Sequence, residues 1–310
     1  MVRSMPNLIT LDDLTEYQQL TLADRAVELH RDRTLHNRPL ARRIVATMFL
    51  LTSTRTRAAF STAALRLGAD LVSFFPNDLQ INTGESFADT GRVLASMMDL
   101  LVVRSNTTIQ KLYELSNNGA LPVVNAMSSE EHPTQGLNDL AVLRLRCGDL
   151  TGLRFLYVGE GNNTAVALAK ALRHIRRCHT TFCTPIGYGL DAALMQQCND
   201  IAATNGGAVA QVSGFDELPA EVDIVYTSRW ETTGTLKHDE AWRELFRPLY
   251  VDEGLMKRWP AALIMHDLPA HRGQEISSAV LDGSRSIAWE QATMKMASAM
   301  AVLEYAAGTG

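Results

Sequence analysis

Five consecutive residues, Ser53-Thr54-Arg55-Thr56-Arg57, carry three hydroxyls and two guanidinium groups. A guanidinium is planar and donates in pairs, a geometry that matches phosphate oxygens. The run follows apolar Met48-Phe49-Leu50-Leu51 and precedes an Ala- and Leu-rich stretch, 58–68. The polar groups therefore fall where a strand hands over to a helix. Unpaired N–H groups and the positive dipole end favour an anion there, and Ser and Thr make good caps. The chemistry predicted is phosphate binding. The alternative is a well-capped helix with surface arginines.

Three further clusters carry polar chemistry. Arg104 stands at the end of an apolar run, and His132-Pro133-Thr134-Gln135 opens a helix, with Pro suited to the first turn. A carbonyl oxygen held among Arg, His and Thr donors is polarised as in an oxyanion site; the alternative is a capping His and an exposed Gln. Gly159-Glu160-Gly161-Asn162-Asn163 is a partial dinucleotide fingerprint, without its third glycine or a ribose-binding acid. Its other reading presents Asn162 and Asn163 to a polar substrate. His266-Asp267-Leu268-Pro269-Ala270-His271-Arg272-Gly273 places two His, one Asp and one Arg in one loop. It lacks partners at metal-ligand spacing, so no metal is expected.

The elements that must position these residues alternate. Strands are expected at 46–51, 70–75, 100–103, 121–125, 154–158, 181–183, 209–212, 224–227, 262–266 and 286–289. Helices are expected at 11–31, 58–68, 86–98, 110–117, 132–146, 164–175, 191–204 and 290–306. The alternation predicts an α/β fold with parallel sheets. Ser53, Arg104 and Asn125 all fall at carboxyl ends of strands, where such sheets bind ligands. The expected architecture is two doubly wound domains, each a parallel sheet flanked by helices, joined by bridging helices. Residues 1–135 with 290–310 form the first and 136–289 the second.

Composition bounds the function. A chain of 310 residues exceeds what one core usually serves. A net charge of −5 does not support a large nucleic-acid surface. No apolar run reaches the roughly 18 residues of a membrane span, and 1–12 lacks a signal-peptide core. The four cysteines, Cys147, Cys178, Cys183 and Cys198, read as free thiols in a reducing cytoplasm.

In order along the chain, Ser53-Thr-Arg-Thr-Arg57, Arg104, His132-Pro-Thr-Gln135 and His266-x-Leu-Pro269 resemble the aspartate/ornithine carbamoyltransferase family. Gln80, Gly84-Glu85-Ser86 and Asp89 to Leu94 resemble the loop that this family lends to a neighbouring subunit. Gly159-x-Gly-Asn-Asn163 and Leu268 to Gly273 are closer to the ornithine branch. The resemblance implies a cytoplasmic homotrimer of two-domain subunits, with active sites shared between subunits and no metal or organic cofactor. It implies that Ser53, Thr54, Arg55 and Thr56 hold the phosphate of carbamoyl phosphate, with Gln80 of the adjacent subunit. Arg104, Thr56 and His132 would polarise its carbonyl, and Gln135 and the Leu268 carbonyl would hold its amide. Lys295 falls where ornithine enzymes have an arginine.

The acceptor side departs from that branch. Tyr226-Thr227-Ser228-Arg229-Trp230 has Ser228 where ornithine enzymes have the aspartate that grips an α-amino group. Thr232 and Thr233 replace a Ser-Met pair, and Asp267 replaces a cysteine. Arg229 and Glu231 resemble the Arg-x-Gln of the aspartate branch, which however has Pro at the place of Asp267. No match to that branch's lysine occurs around Gln80. Asn162, Asn163, Ser228, Arg229, Glu231 and Asp267 are the expected acceptor residues: Arg229 for an acidic or carbonyl group, Glu231 or Asp267 for a cationic amine. Asp267 binds a second cationic group or takes the amine's proton, alongside Arg55, Arg104 and His132 in catalysis. The expected acceptor is a diamino acid, a modified ornithine or a related intermediate. Ornithine itself is the alternative, then aspartate. The non-enzyme alternative is a catalytically silent, anion-binding relative.

Overall fold

A computed structural model describes residues 6–32, 34–35, 37–232, 237 and 241–309. Thr233 and Gly234, part of the acceptor-side run, lie outside the described residues. The chain divides into two compact units. One ends at Leu145 and resumes at Thr293, and the other is Arg146–Ala292. The units part at 145/146 and 292/293, inside the helices Pro133–Cys147 and Ala288–Ala306, which also contain the expected junctions at 135/136 and 289/290.

The first unit holds a four-stranded sheet of β1 (Ile44–Phe49), β2 (Asp70–Phe74), β3 (Leu100–Arg104) and β4 (Val123–Asn125). Its order is β2-β1-β3-β4 and every pairing is parallel. β3 is buried along its whole length and β1 along nearly all of it, so both read as continuous apolar runs. β2, at the edge, is half exposed. Ala46, Met48, Leu101 and Val103 pack with Phe87, Leu94, Leu112 and Leu115 of the covering helices Phe87–Leu94 and Ile109–Leu115. Gly91 is required there, because a Cβ would stand 2.3 Å from the Leu115 carbonyl oxygen.

The second unit holds a five-stranded parallel sheet of β5 (Arg154–Val158), β6 (His179–Cys183), β7 (Ala208–Val212), β8 (Ile224–Thr227) and β9 (Leu263–His266). Its order is β7-β6-β5-β8-β9. Leu156, Val158, Val225 and Ile264 pack with Trp259, Ile276 and Val280 on one face.

One expected strand is corrected. Ser286 makes a single parallel bridge to Ile264, and Ala288 already begins the last helix. Ile287 donates its N–H to the Ile264 carbonyl, and Ala288 and Trp289 are already that helix's first turn, not a strand. The short helices Trp242–Phe246, Glu253–Met256 and Ser278–Leu281 were not expected from the sequence.

Candidate active site

Strand order places a ligand crevice in each sheet. In the first, the direction of winding reverses between β1 and β3, and ligands bind outside the carboxyl ends at such a point. Register sets Arg104, the last residue of β3, beside Phe49, the last of β1. Five residues on from Phe49, Thr54 leads into the helix Arg55–Arg66. Thr54 makes no side-chain cap bond, and its backbone is already in the helical region. Arg57 stacks against Phe49 and Phe75, its guanidinium 5.2 and 4.7 Å from the ring centroids.

His132 is buried in this unit, and its position is fixed by its neighbour. Glu131, fully buried, accepts from the Leu11 N–H at 2.7 Å and from Thr10 Oγ1 at 2.6 Å. Burial pushes His132 well below the usual imidazole range, and the positive charges of Arg104 and Lys295 push the same way. It is a neutral ring at pH 7, with one N–H to donate. Thr134 Oγ1 lies 3.4 Å from its Nδ1. Gln135 donates to Asp139 at 2.7 Å and accepts from Lys295 Nζ, so its amide is held from both ends. A small cavity is lined by Thr56, Phe60, His132, Thr134, Lys295 and Ser298, which brings three of the expected donor-side residues, Thr56, His132 and Lys295, to one place. Gln80 instead begins the exposed turn Gln80–Thr83, where its Oε1 accepts from Thr83. Asn125, at the end of β4, is a correction. Its amide donates to the Ile9 carbonyl at 2.8 Å and its Oδ1 accepts from the Met127 N–H, so it fastens backbone rather than facing a ligand.

In the second sheet the winding reverses between β5 and β8. Gly159 to Asn163 follow β5, and Ser228 follows β8. The two glycines have different reasons: Gly159 takes a positive φ of +150, and a Cβ on Gly161 would stand 2.4 Å from the backbone of Gly189 and Leu190. Asn162 caps the helix Asn163–Leu172 through its Oδ1, leaving its amide to donate to Ser228 Oγ at 3.3 Å. Tyr157 also reaches Ser228, at 2.6 Å, and donates to the Glu160 carbonyl at 2.7 Å. Burial raises the Tyr157 hydroxyl far above its ordinary range, so it keeps its single proton. Because that proton goes to Glu160, Ser228 must donate to Tyr157. Ser228 is thus an uncharged, oriented hydroxyl with its proton already spent.

β9 ends at His266, which is fully buried. Its Nδ1 accepts from the Leu268 N–H at 2.8 Å, and its Nε2 therefore donates to the buried Glu275 at 3.1 Å. Leu268 has φ +51 and precedes a cis proline, and the His266 bond fixes it there. Asp267 accepts from Thr164 Oγ1 at 3.2 Å and is partly exposed. Glu231 does not join this group: its described partner is Arg243, 3.9 Å away on an exposed rim.

Sequence reasoning missed Glu131, Tyr157, Thr164 and Glu275. Their partners lie 121, 71, 103 and 9 residues away, so periodicity could not reveal the first three. The buried acid flanking a motif histidine is the one signal that was present, as Glu131 before His132.

The geometry thus defines a two-unit α/β protein with an anion-binding crevice in one sheet and a polar, carboxylate-bearing crevice in the other. Comparison with known proteins agrees. Residues 6–144 match the family model for the aspartate/ornithine carbamoyltransferase carbamoyl-P binding domain, and 151–306 that for its Asp/Orn binding domain. The ornithine carbamoyltransferase of Gloeobacter violaceus is 33% identical over 97% of this chain and 95% of its own. That of Parafrankia sp. is 36% identical over 94% and 93%. The solved ornithine carbamoyltransferase of Pyrococcus furiosus superposes with a TM-score of 0.91 at 31% identity, covering 98% of both chains. The chain belongs to the aspartate/ornithine carbamoyltransferase family and is a carbamoyltransferase.

Proposed function

We propose that this enzyme transfers the carbamoyl group of carbamoyl phosphate to a primary amine of a basic diamino acid, giving a ureido product and phosphate. In the donor half, Ser53, Thr54, Arg55 and Thr56, with Gln80 of an adjacent subunit, hold the phosphate. Arg104, Thr56 and His132 direct N–H and O–H donors at the carbonyl oxygen, while Gln135 and Lys295 fix the amide end. The amine nitrogen bonds to the carbonyl carbon and charge develops on oxygen. The C–O bond to phosphate then breaks, the nitrogen loses its proton, and phosphate leaves with the bonding pair. Donors preset around the oxygen lower that barrier. The observation that carries this reading is the gathering of Thr56, His132, Thr134 and Lys295 around one cavity beside the motif helix.

The names of the relatives favour ornithine as the acceptor. A second reading, a modified or different diamino compound, is favoured by one observation: the carboxylate stands at Asp267, while position 228 carries a hydroxyl whose proton is spent on Tyr157. Asp267 then binds the acceptor's second ammonium or takes the proton released during attack, with Asn162, Asn163, Ser228 and Arg229 around it. A homotrimer is proposed as the assembly, supported by the exposed Leu65, Phe75, Val93 and Met97 in the first unit. The cytoplasm is the proposed compartment, in keeping with four free cysteines. No helix of the described residues is long and apolar enough to cross a membrane.

The test is phosphate release from carbamoyl phosphate with L-ornithine, L-lysine, L-2,3-diaminopropionate and L-aspartate. Release with a diamino acid supports the proposal. Binding of carbamoyl phosphate with silence toward every amine would instead favour an anion-binding relative.

A further inference from the structure

The chain places an alkylammonium of its own inside an aromatic box in the second unit. Lys237 Nζ lies 4.3, 4.4 and 4.9 Å from the ring centroids of Phe246, Trp242 and Tyr188. It pairs with Glu160 Oε1 at 3.0 Å and donates to the Trp230 carbonyl. Its side chain is 8% exposed and that of Glu160 is 17% exposed, so the pair is largely withdrawn from water. Burial lowers the Lys237 ammonium from its ordinary range, and Glu160 opposes that shift.

Glu160 is the hub of the arrangement. Its other carboxylate oxygen accepts from Thr232 Oγ1 at 3.1 Å. Its carbonyl accepts from the Asn162 N–H at 2.8 Å and from Tyr157 Oη at 2.7 Å. Tyr157 in turn orders Ser228. One residue between two glycines therefore ties Lys237 to Thr232, Asn162 and Ser228, residues at or beside the acceptor positions. An ammonium among ring faces and beside a carboxylate is held by its charge, not by its volume alone. Removing one member of such a buried pair leaves the other uncompensated.

We propose that Lys237 is a positioning residue for acceptor binding: its ammonium, seated in the Tyr188–Trp242–Phe246 box on Glu160, fixes Glu160 and through it Thr232 and the Tyr157–Ser228 pair. The proposal rests on the assignment of the second crevice to the acceptor. It makes acceptor affinity depend on a cation that never touches the substrate, and leaves carbamoyl phosphate binding independent of it.

The test compares wild type with Lys237→Met, Lys237→Arg and the double variant Glu160→Gln/Lys237→Met. The acceptor is whichever of the four amino acids above the wild type uses. Lys237→Met is expected to raise the acceptor KM about tenfold, the scale of a lost desolvated cation–π contact and ion pair, with the carbamoyl phosphate KM unchanged. Lys237→Arg is expected to recover most of the loss, because it keeps the charge. The double variant removes both charges and is expected to fold stably yet keep the raised KM. An unchanged or lowered acceptor KM in Lys237→Met, or a wild-type KM in the double variant, overturns the proposal. Amide hydrogen exchange at 229–232, measured without substrates, gives a readout apart from activity. Faster exchange in Lys237→Met, restored by Lys237→Arg, is the expected result. If the wild type accepts none of the amines, the acceptor reading fails on its own, and unchanged exchange at 229–232 would then overturn the positioning role as well.

Discussion

The two sheets of this protein share a plan and differ in charge. Each is parallel, each reverses its winding once, and each gathers functional residues at that reversal. The first crevice is cationic, with the charges of Arg104 and Lys295 near a buried, neutral His132. The second is built from hydroxyls, amides and carboxylates: Ser228, Asn162, Glu160 and Asp267. The donor half carries the family's motifs at 53–57, 104 and 132–135, with Lys295 in the place of an arginine, whereas the acceptor half departs from the ornithine branch at 228, 232 and 267. The difference teaches how one scaffold changes substrate. A phosphate and a carbonyl make fixed demands on their donors, and these are met by a strand end and a helix start. On the proposed reading, the acceptor is chosen by single side chains at the ends of β8 and β9, where exchange leaves the backbone in place.

The largest effect should come from the cationic crevice. Arg104→Met keeps length and removes the guanidinium, and should lower kcat about a thousandfold, as loss of an oxyanion donor does. Steady-state phosphate release measures it, and a loss under tenfold would break the assignment of Arg104 to the carbonyl. In the second crevice, Asp267→Asn should raise the acceptor KM or lower kcat by about ten- to a hundredfold, the cost of an unpaired charged contact. Profiles at several pH values separate a binding role, seen in KM throughout, from proton acceptance, seen as a changed pH dependence of kcat. Unchanged rate and affinity would remove Asp267 from the site. Ser228→Asp restores the carboxylate of ornithine enzymes and should lower the KM for ornithine about tenfold. An equal or higher value would show that position 228 does not decide the acceptor. The smallest effect is on stability. His132 has a folded pKa below its unfolded value of about 6.5, so its contribution is present above that pH and is lost as pH falls toward the folded value. Within that window, denaturant unfolding should lose about 1.4 kcal/mol per pH unit from this group, and His132→Gln should remove that part of the slope.

Much of this was legible in the sequence. The strands at 154–158 and 224–227 were read with the bounds that the structure gives, because fully buried strands make unbroken apolar runs closed by polar residues. The run at 286–289 looked the same, yet it lies at a helix start, and four residues cannot show which period they belong to. The helices Trp242–Phe246 and Glu253–Met256 are too short to display a period at all. In the site, the motif residues were legible by type and order, but their supports were not. Glu131 on Thr10, Tyr157 on Ser228 and Lys237 on Glu160 join positions about 70 to 120 residues apart, and only folding brings them together.

The first unit is not continuous in sequence. Its opening 145 residues are rejoined only at Thr293, and the cavity beside His132 takes Lys295 and Ser298 from that returning stretch. A chain emerging from the ribosome has therefore made Thr56, His132 and Thr134 long before the last wall of their cavity exists. The inserted unit, contiguous from Arg146 to Ala292, can close its own sheet first. On the proposed function, carbamoyl phosphate binding thereby becomes a certificate of completed synthesis, since a chain cut short before 293 carries the motifs at 53–57, 104 and 132–135 and lacks Lys295 and Ser298 of the cavity wall.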